Sequence, residues 1–303
     1  MKGNDRVQPG QNPHRLISLG RSAVRKYGSL TAPWRPLPEF LIIGAKRGGS
    51  TSFYYDLLGH PQIASLFPRP DHLPKASATK GVHYFDQNYD RGPQWYRGHL
   101  PSMAARALQS HRHEGPVITG EASPYYLFHP AAAERAAALV PQAKIIAVLR
   151  DPVDRTYSHW KERRRAQAED LDFASALDVE DARIGDVEMR LRADPAFHSY
   201  AHEHQSYARQ SEYAPALQRW YDNFPRDRIL ILSSDEYYFA PQQVLEVALA
   251  FLDLPAHPLA TGKIRNAAEG GNVDADLRVR LTARFAPHNA NLEQLVGRRF
   301  SWS

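Results

Sequence analysis

The amino-acid sequence predicts an α/β fold: a central, mainly parallel sheet flanked by helices, in three layers. Three observations predict it. Short, nearly continuous apolar runs at residues 39–43, 144–149 and 228–232 have the length and composition of strands buried on both faces. Helical stretches lie between these runs, and strand–helix alternation is the pattern of parallel βαβ units. Of the 303 residues, 43% are hydrophobic and 23% charged, the balance of a globular protein with a sizeable core.

Taken in chain order, residues 1–36 carry Lys2, Arg6, Arg15, Arg21, Arg25, Lys26 and Arg35 against Asp5 alone. That segment holds a net +6, so with +5 for the whole chain the other 267 residues sum to −1. The body is not globally basic, which argues against nucleic acid as a partner. The leader, rich in Pro, Gly, Asn and Arg, predicts a mostly disordered tail, solvated or in weak contact with an anionic surface. The apolar run at 40–43 is far too short to span a bilayer, and no charged-then-apolar secretory leader opens the chain. Cysteine is absent, which excludes disulfide frameworks, thiolate zinc sites and cysteine nucleophiles. The expectation is a cytoplasmic protein.

Pro33-Trp34-Arg35-Pro36-Leu37-Pro38 punctuates the approach to a single domain expected over 37–303. After the strand at 39–43 comes a glycine-rich turn at 44–50, then a helix at 51–58 ended by Gly59-His60-Pro61. The strand at 144–149 leads into Arg150-Asp151-Pro152, where Asp151 is a helix N-cap and Pro152 a first helical residue. That helix is predicted to run through Trp160, with others at 131–140, 213–223 and 242–252. The charged region 166–210, broken only by Pro195, reads as a helical insertion.

Gly44-Ala45-Lys46-Arg47-Gly48-Gly49-Ser50-Thr51 sits between a predicted strand and a predicted helix, the context that gives such a loop meaning. Glycines let backbone N–H groups converge on one point, and the helix N-terminus adds partial positive charge. Lys46 and Arg47 supply cations, and Ser50, Thr51 and Ser52 supply hydroxyls, so the loop is expected to bind a phosphate-type anion. A nucleotide triphosphatase would place lysine directly after Gly49, where this chain has Ser50. No apolar run ends in a convincing magnesium-binding aspartate, since Asp151 also has a capping role, and ATP hydrolysis is disfavoured. A second anion site is expected where Arg150 ends a strand and Ser158 follows on the helix behind it. Two phosphate sites at one sheet edge imply a nucleotide with phosphates at both ends of its nucleoside.

These motifs resemble those of the sulfotransferases that use 3′-phosphoadenosine 5′-phosphosulfate (PAPS), and most of all the heparan sulfate sulfotransferase-like branch and its bacterial relatives. Lys80-Gly81-Val82-His83-Tyr84-Phe85-Asp86, Trp95-Tyr96-Arg97, Gly120-Glu121-Ala122-Ser123-Pro124 and the stretch from Tyr213 to Trp220 extend the likeness over residues 37–302. The resemblance implies a P-loop-type fold, PAPS as donor, its bisphosphate as product, no metal, and a carbohydrate or small-molecule acceptor. By position it implies that Lys46 contacts the oxygen bridging sulfate and phosphate and that Arg47, Gly48, Gly49, Ser50, Thr51 and Ser52 cradle the 5′-phosphate. Arg150 and Ser158 would hold the 3′-phosphate, Tyr213 is counted with the donor site, and Lys263 and Arg265, with Gly270 and Gly271, are candidates for a closing loop.

The chain departs from the branch at Gly81, where the heparan sulfate enzymes carry a glutamate base. His83 is the leading candidate in its place, with Glu121, Asp86 or unassisted attack as alternatives. Lys80 is a candidate near the transferring group. A glutamate restored at position 81 is expected to rescue a His83→Ala variant in part, provided the backbone there does not need glycine's freedom. Two other readings stay open at this point: a P-loop kinase using ATP and magnesium, and a non-catalytic nucleotide-binding protein. Trp95 and Tyr96 read as packing residues, and Arg163-Arg164-Arg165 as a solvated helix face. The histidine pairs of His111-Arg112-His113 and His202-Glu203-His204 read as exposed, without a third ligand that would make a metal site.

Overall fold

A computed structural model describes residues 24–68, 80–259 and 273–302. Five strands, β1 (Phe40–Gly44), β2 (Ile63–Ala64), β3 (Ile118–Ala122), β4 (Lys144–Leu149) and β5 (Ile229–Ser233), form one sheet in the order β2-β3-β1-β4-β5. All four pairings are parallel, with Leu41 opposite Glu121 on one side and Ile145 on the other. The chain starts in the middle, moves out to β2, returns to β3 and then crosses to β4. The carboxyl end of β1 is therefore a topological switch point, the place where open α/β sheets bind ligands.

Side-chain alternation on the buried strands builds a core on each face. Leu41, Ile43, Ile145, Ala147 and Leu149 face one side, packed with Phe85, Tyr126, Leu217 and Trp220. Phe40, Ile42, Ile146 and Val148 face the other, against Phe53, Leu57, Leu245 and Leu249. The helices that cover these faces are α1 (Ser50–Leu57), α2 (Tyr84–Gln87), α3 (Ala132–Leu139), α5 (Tyr213–Tyr221), α6 (Pro241–Phe251) and α7 (Ala275–Val296), while α4 (Pro152–Arg165) joins α7 in a third apolar cluster. The Asp151 carboxylate accepts the Asp154 N–H at 2.9 Å, so the predicted N-cap forms. No described helix is long and apolar enough to cross a membrane.

Region 166–210 is helical as expected, but in short pieces (Phe173–Asp178, Glu180–Ile184, Val187–Ala193) with a π-helical turn, Ala201–Gln205, and its Phe173, Ala176 and Leu177 pack with Val153 of α4 and Leu281 and Phe285 of α7. Two expectations differ from the structure. The basic leader is folded over residues 24–36, and its remainder, residues 1–23, lies outside the described residues. Residues 24–30 are helical, and Arg35, 1% exposed, lies over the Phe67 ring with its Nε donating to Thr31 Oγ1. Strand β3 and helix α7 have no counterpart among the predicted elements. The first carries buried polar residues, and the second runs through Pro287.

Candidate active site

The loop after β1 is fastened to the end of β4: the Ala45 N–H donates to the Val148 carbonyl at 2.8 Å. The Gly48 N–H then closes a tight turn on the Ala45 carbonyl at 2.9 Å. Gly49, at φ +93°, caps α1 in a left-handed conformation, and a Cβ there would meet the Tyr238 hydroxyl at 2.9 Å. Ser50 and Ser52 are buried and Thr51 half-buried in the first turn, whose N–H groups have no intrahelical acceptor. Arg155, fully buried on α4, donates to the Lys46 carbonyl at 3.2 Å and to Ser211 Oγ, and so fixes the loop from behind.

Three cations converge here. Lys46 Nζ lies 3.2 Å from Glu203 Oε1, 3.2 Å from the Glu203 carbonyl and 3.0 Å from His204 Nδ1. Burial pulls its pKa down, and the Glu203 carboxylate opposes that shift. Arg47 Nε donates to Ser158 Oγ at 3.1 Å, joining the glycine loop to the helix behind β4. Lys80 Nζ donates to Ser50 Oγ at 3.3 Å, and burial, with Arg47 and Lys46 nearby, pushes it down to about 7. Arg150 stands at the end of β4, 4.0 Å from Asp154, and its carbonyl accepts the Tyr213 hydroxyl at 2.9 Å. Buried Tyr213 thus acts on this site through the Arg150 backbone.

On the β3 side, His83 takes a left-handed conformation (φ 52°) just before α2. Ser123 Oγ accepts its N–H at 3.0 Å, and Asn88 Nδ2 donates to its carbonyl at 2.8 Å. The His83 Nδ1 lies 2.8 Å from Asp86 Oδ2, with the imidazole about a third exposed (32%) and Asp86 buried. Burial works against the charged imidazole, but Asp86 outweighs it, helped by Glu203 and Glu121, so the His83 pKa lies above its ordinary value. With the proton of Nδ1 directed at Asp86, Nε2 is the basic nitrogen.

Glu121 is placed differently from a residue that meets an acceptor. It is 0% exposed, and its two oxygens take the Tyr96 hydroxyl at 2.8 Å, the Ser123 hydroxyl at 2.8 Å, the Tyr126 hydroxyl at 2.9 Å and the Val82 N–H. Burial raises its pKa and these four bonds oppose the rise. The carboxylate anchors the backbone next to His83, with Tyr84 and Phe85 donating to the Tyr126 hydroxyl in the same cluster.

Position 81 is closed to a side chain. A Cβ on Gly81 would lie 2.4 Å from both the Ala122 carbonyl oxygen and Ser123 Oγ, so a glutamate there cannot restore a base on this backbone. Gly81→Ala is expected to lose about 1–3 kcal/mol of stability by overpacking, measured by denaturant unfolding, and Gly81→Glu more than Gly81→Ala.

Sequence reasoning missed the 202–204 turn. His202 is fully buried, with Nδ1 2.7 Å from the Tyr125 hydroxyl and its ring stacked on Phe128, and Glu203 and His204 meet Lys46. Arg163 is also drawn in, paired with Glu162 and 3.4 Å from His204 Nδ1, so its part of the arginine run is no solvated face. His111 and His113 are exposed, and Tyr96 is buried in the core against Tyr84. Lys263, Arg265, Gly270 and Gly271 lie outside the described residues. The only signal that could have found Glu203 is a carboxylate between two histidines.

Known proteins are similar to this chain in fold and sequence. A sulfotransferase from Alicyclobacillus acidocaldarius has a crystal structure 28% identical in sequence, with a TM-score of 0.61, covering 88% of this chain and 98% of that one. The bifunctional heparan sulfate N-deacetylase/N-sulfotransferase 2 of Bos taurus is 28% identical over 286 residues, 86% of this chain and 30% of its own length. The corresponding protein 1 of Caenorhabditis elegans is 29% identical over 77% of this chain and 24% of its own. This chain therefore spans under a third of the length of those two relatives. The family described as the sulfotransferase domain matches residues 37–269. With a cationic glycine loop at the switch point of a parallel sheet and that match over most of its length, the chain belongs to the sulfotransferase family and is an enzyme similar in sequence to the heparan sulfate N-sulfotransferases.

Proposed function

We propose that the enzyme transfers a sulfuryl group from PAPS to a hydroxyl or amine of a carbohydrate acceptor. The observation that carries this reading is the meeting of two anion sites at adjacent strand ends: the glycine loop with Lys46 after β1, and Arg150 with Ser158 after β4, joined by the Arg47–Ser158 hydrogen bond. A nucleotide phosphorylated at both the 5′ and 3′ positions fits two such sites. The heparan sulfate relatives support a carbohydrate acceptor.

Transfer is in-line. The acceptor oxygen or nitrogen forms a bond to sulfur as the bond from sulfur to the bridging oxygen breaks, and the acceptor proton moves to His83 Nε2. By analogy with phosphoryl transfer, positioning and charge neutralisation carry most of the rate. Lys46 and the α1 N-terminus meet the charge growing on the leaving phosphate, which assigns that work to protein cations rather than to a metal. Asp86 orients the imidazole and stabilises it once it holds the proton. Lys80, drawn to Ser50, adds a third cation beside the loop.

The test is calorimetric. Arg150→Ala is expected to weaken 3′,5′-bisphosphoadenosine by about 1.5–3 kcal/mol, the worth of a hydrogen bond to a charged group, and to leave adenosine 5′-monophosphate unchanged. Equal weakening of both ligands would remove Arg150 from the 3′-phosphate site.

A further inference from the structure

Lys46 is fully engaged within the protein. An ammonium has three donors and no acceptor, and here three acceptors surround it: the Glu203 carbonyl, Glu203 Oε1 and His204 Nδ1, at 3.2, 3.2 and 3.0 Å. Because the lysine only donates, His204 Nδ1 must accept, which puts the imidazole proton on Nε2, 3.5 Å from Glu203 Oε1. Burial and the neighbouring Lys46 push His204 down to about 4, which keeps the ring neutral for that role. The second Glu203 oxygen takes the Gln87 side-chain amide, at the end of the short helix that carries Asp86. Gln210 fixes the turn from below, its amide donating to the Glu203 carbonyl at 2.9 Å and to the His202 carbonyl at 3.2 Å.

We propose that Glu203 is a positioning residue for Lys46, a carboxylate that holds the ammonium in the resting enzyme and must yield it to the donor's bridging oxygen. The proposal rests on the donor reading above. Two features support an exchangeable contact rather than a permanent strut. Though largely buried, neither side chain is sealed from water, with exposures of 16% for Lys46 and 12% for Glu203. Glu203 also keeps a second partner, Gln87, when Lys46 leaves. A negative charge at this place opposes an anionic donor, so donor affinity in the native enzyme is lower than the loop alone would give.

The consequence is unusual for a buried residue beside an active site: its removal tightens binding. Glu203→Gln cancels the charge and Glu203→Asp draws it back by one methylene, and each loosens the hold on Lys46. Calorimetry with 3′,5′-bisphosphoadenosine is expected to show Glu203→Gln binding about 3- to 30-fold tighter than native, from loss of one like charge near the ligand, with a smaller gain in Glu203→Asp. Thermal unfolding identifies which variants are folded. Unchanged or weaker binding in a folded variant overturns the proposal.

A second readout needs no nucleotide. Loss of Glu203 removes a group that favours the charged lysine, so acylation of Lys46 by an N-hydroxysuccinimide ester at fixed pH, mapped by mass spectrometry, is expected to quicken in Glu203→Gln. If native enzyme fails to bind the bisphosphate, the donor reading has failed and acylation alone decides the contact. An unchanged or slower acylation rate then overturns it.

Discussion

Replacing His83 by alanine lowers kcat by about 10²–10⁴-fold, the range for loss of a positioned general base. The affinity for 3′,5′-bisphosphoadenosine stays near native, because among the described residues the imidazole's hydrogen bond goes to Asp86 and not to a group of either anion site. The pH profile carries the sharper test. A base must be neutral to act, and Asp86 holds the His83 pKa above its ordinary value. The rate therefore falls as pH drops through that raised pKa, and the acid limb lies above the value of a free imidazole. The groups that face His83 are Asp86 on α2 just after it, Glu203 on the π-helical turn and Glu121 on β3. Asp86→Asn removes the strongest of these and moves the limb to lower pH. Near-native kcat in His83→Ala, or an acid limb that ignores Asp86→Asn, assigns the proton to another group.

Lys46→Met has an effect of comparable size, with a confounding cost to stability. Loss of the cation that meets the leaving phosphate lowers kcat by about 10²–10³-fold, as for other groups that stabilise developing negative charge. The same change strands Glu203, whose removal from water was compensated by the lysine, and breaking a buried pair costs up to about 3–5 kcal/mol. Combining Lys46→Met with Glu203→Gln separates the two. The double variant regains most of the stability, measured by urea unfolding, because no unpaired charge remains, while its kcat stays at the level of Lys46→Met. A double variant that regains activity would show that Lys46 serves the fold and not the transfer.

The sequence by itself determined the frame and the chemistry of the loop. β4 falls at Lys144–Leu149 as the apolar run predicts, α1 begins at Ser50, and α6 spans Pro241–Phe251, one residue from its expected position. Such elements declare themselves locally, because periodicity, capping and glycine turns depend on near neighbours. Strand β3 did not, since Thr119, Gly120 and Glu121 look like a loop until Val82, Tyr96 and Tyr126 arrive to satisfy the buried carboxylate. Helix α7 hid for a related reason. Pro287 argues against a helix, and the buried stripe of Leu281, Phe285 and Leu292 gains its meaning from the surfaces it packs on.

Only the tertiary structure decided which groups meet at the site. Lys46 and Glu203 lie 157 residues apart, and Arg47 and Ser158 lie 111 apart. His202-Glu203-His204 has the composition of a solvated loop, yet it is folded against Lys46 and Tyr125. Glu121 had the right chemistry for a base, and only its burial shows that all its capacity is spent on the backbone and tyrosines around it. The reason is the same in each case. A charged or polar group takes its role from the partners that replace water around it, and those partners are brought by the topology of the sheet rather than by adjacent residues.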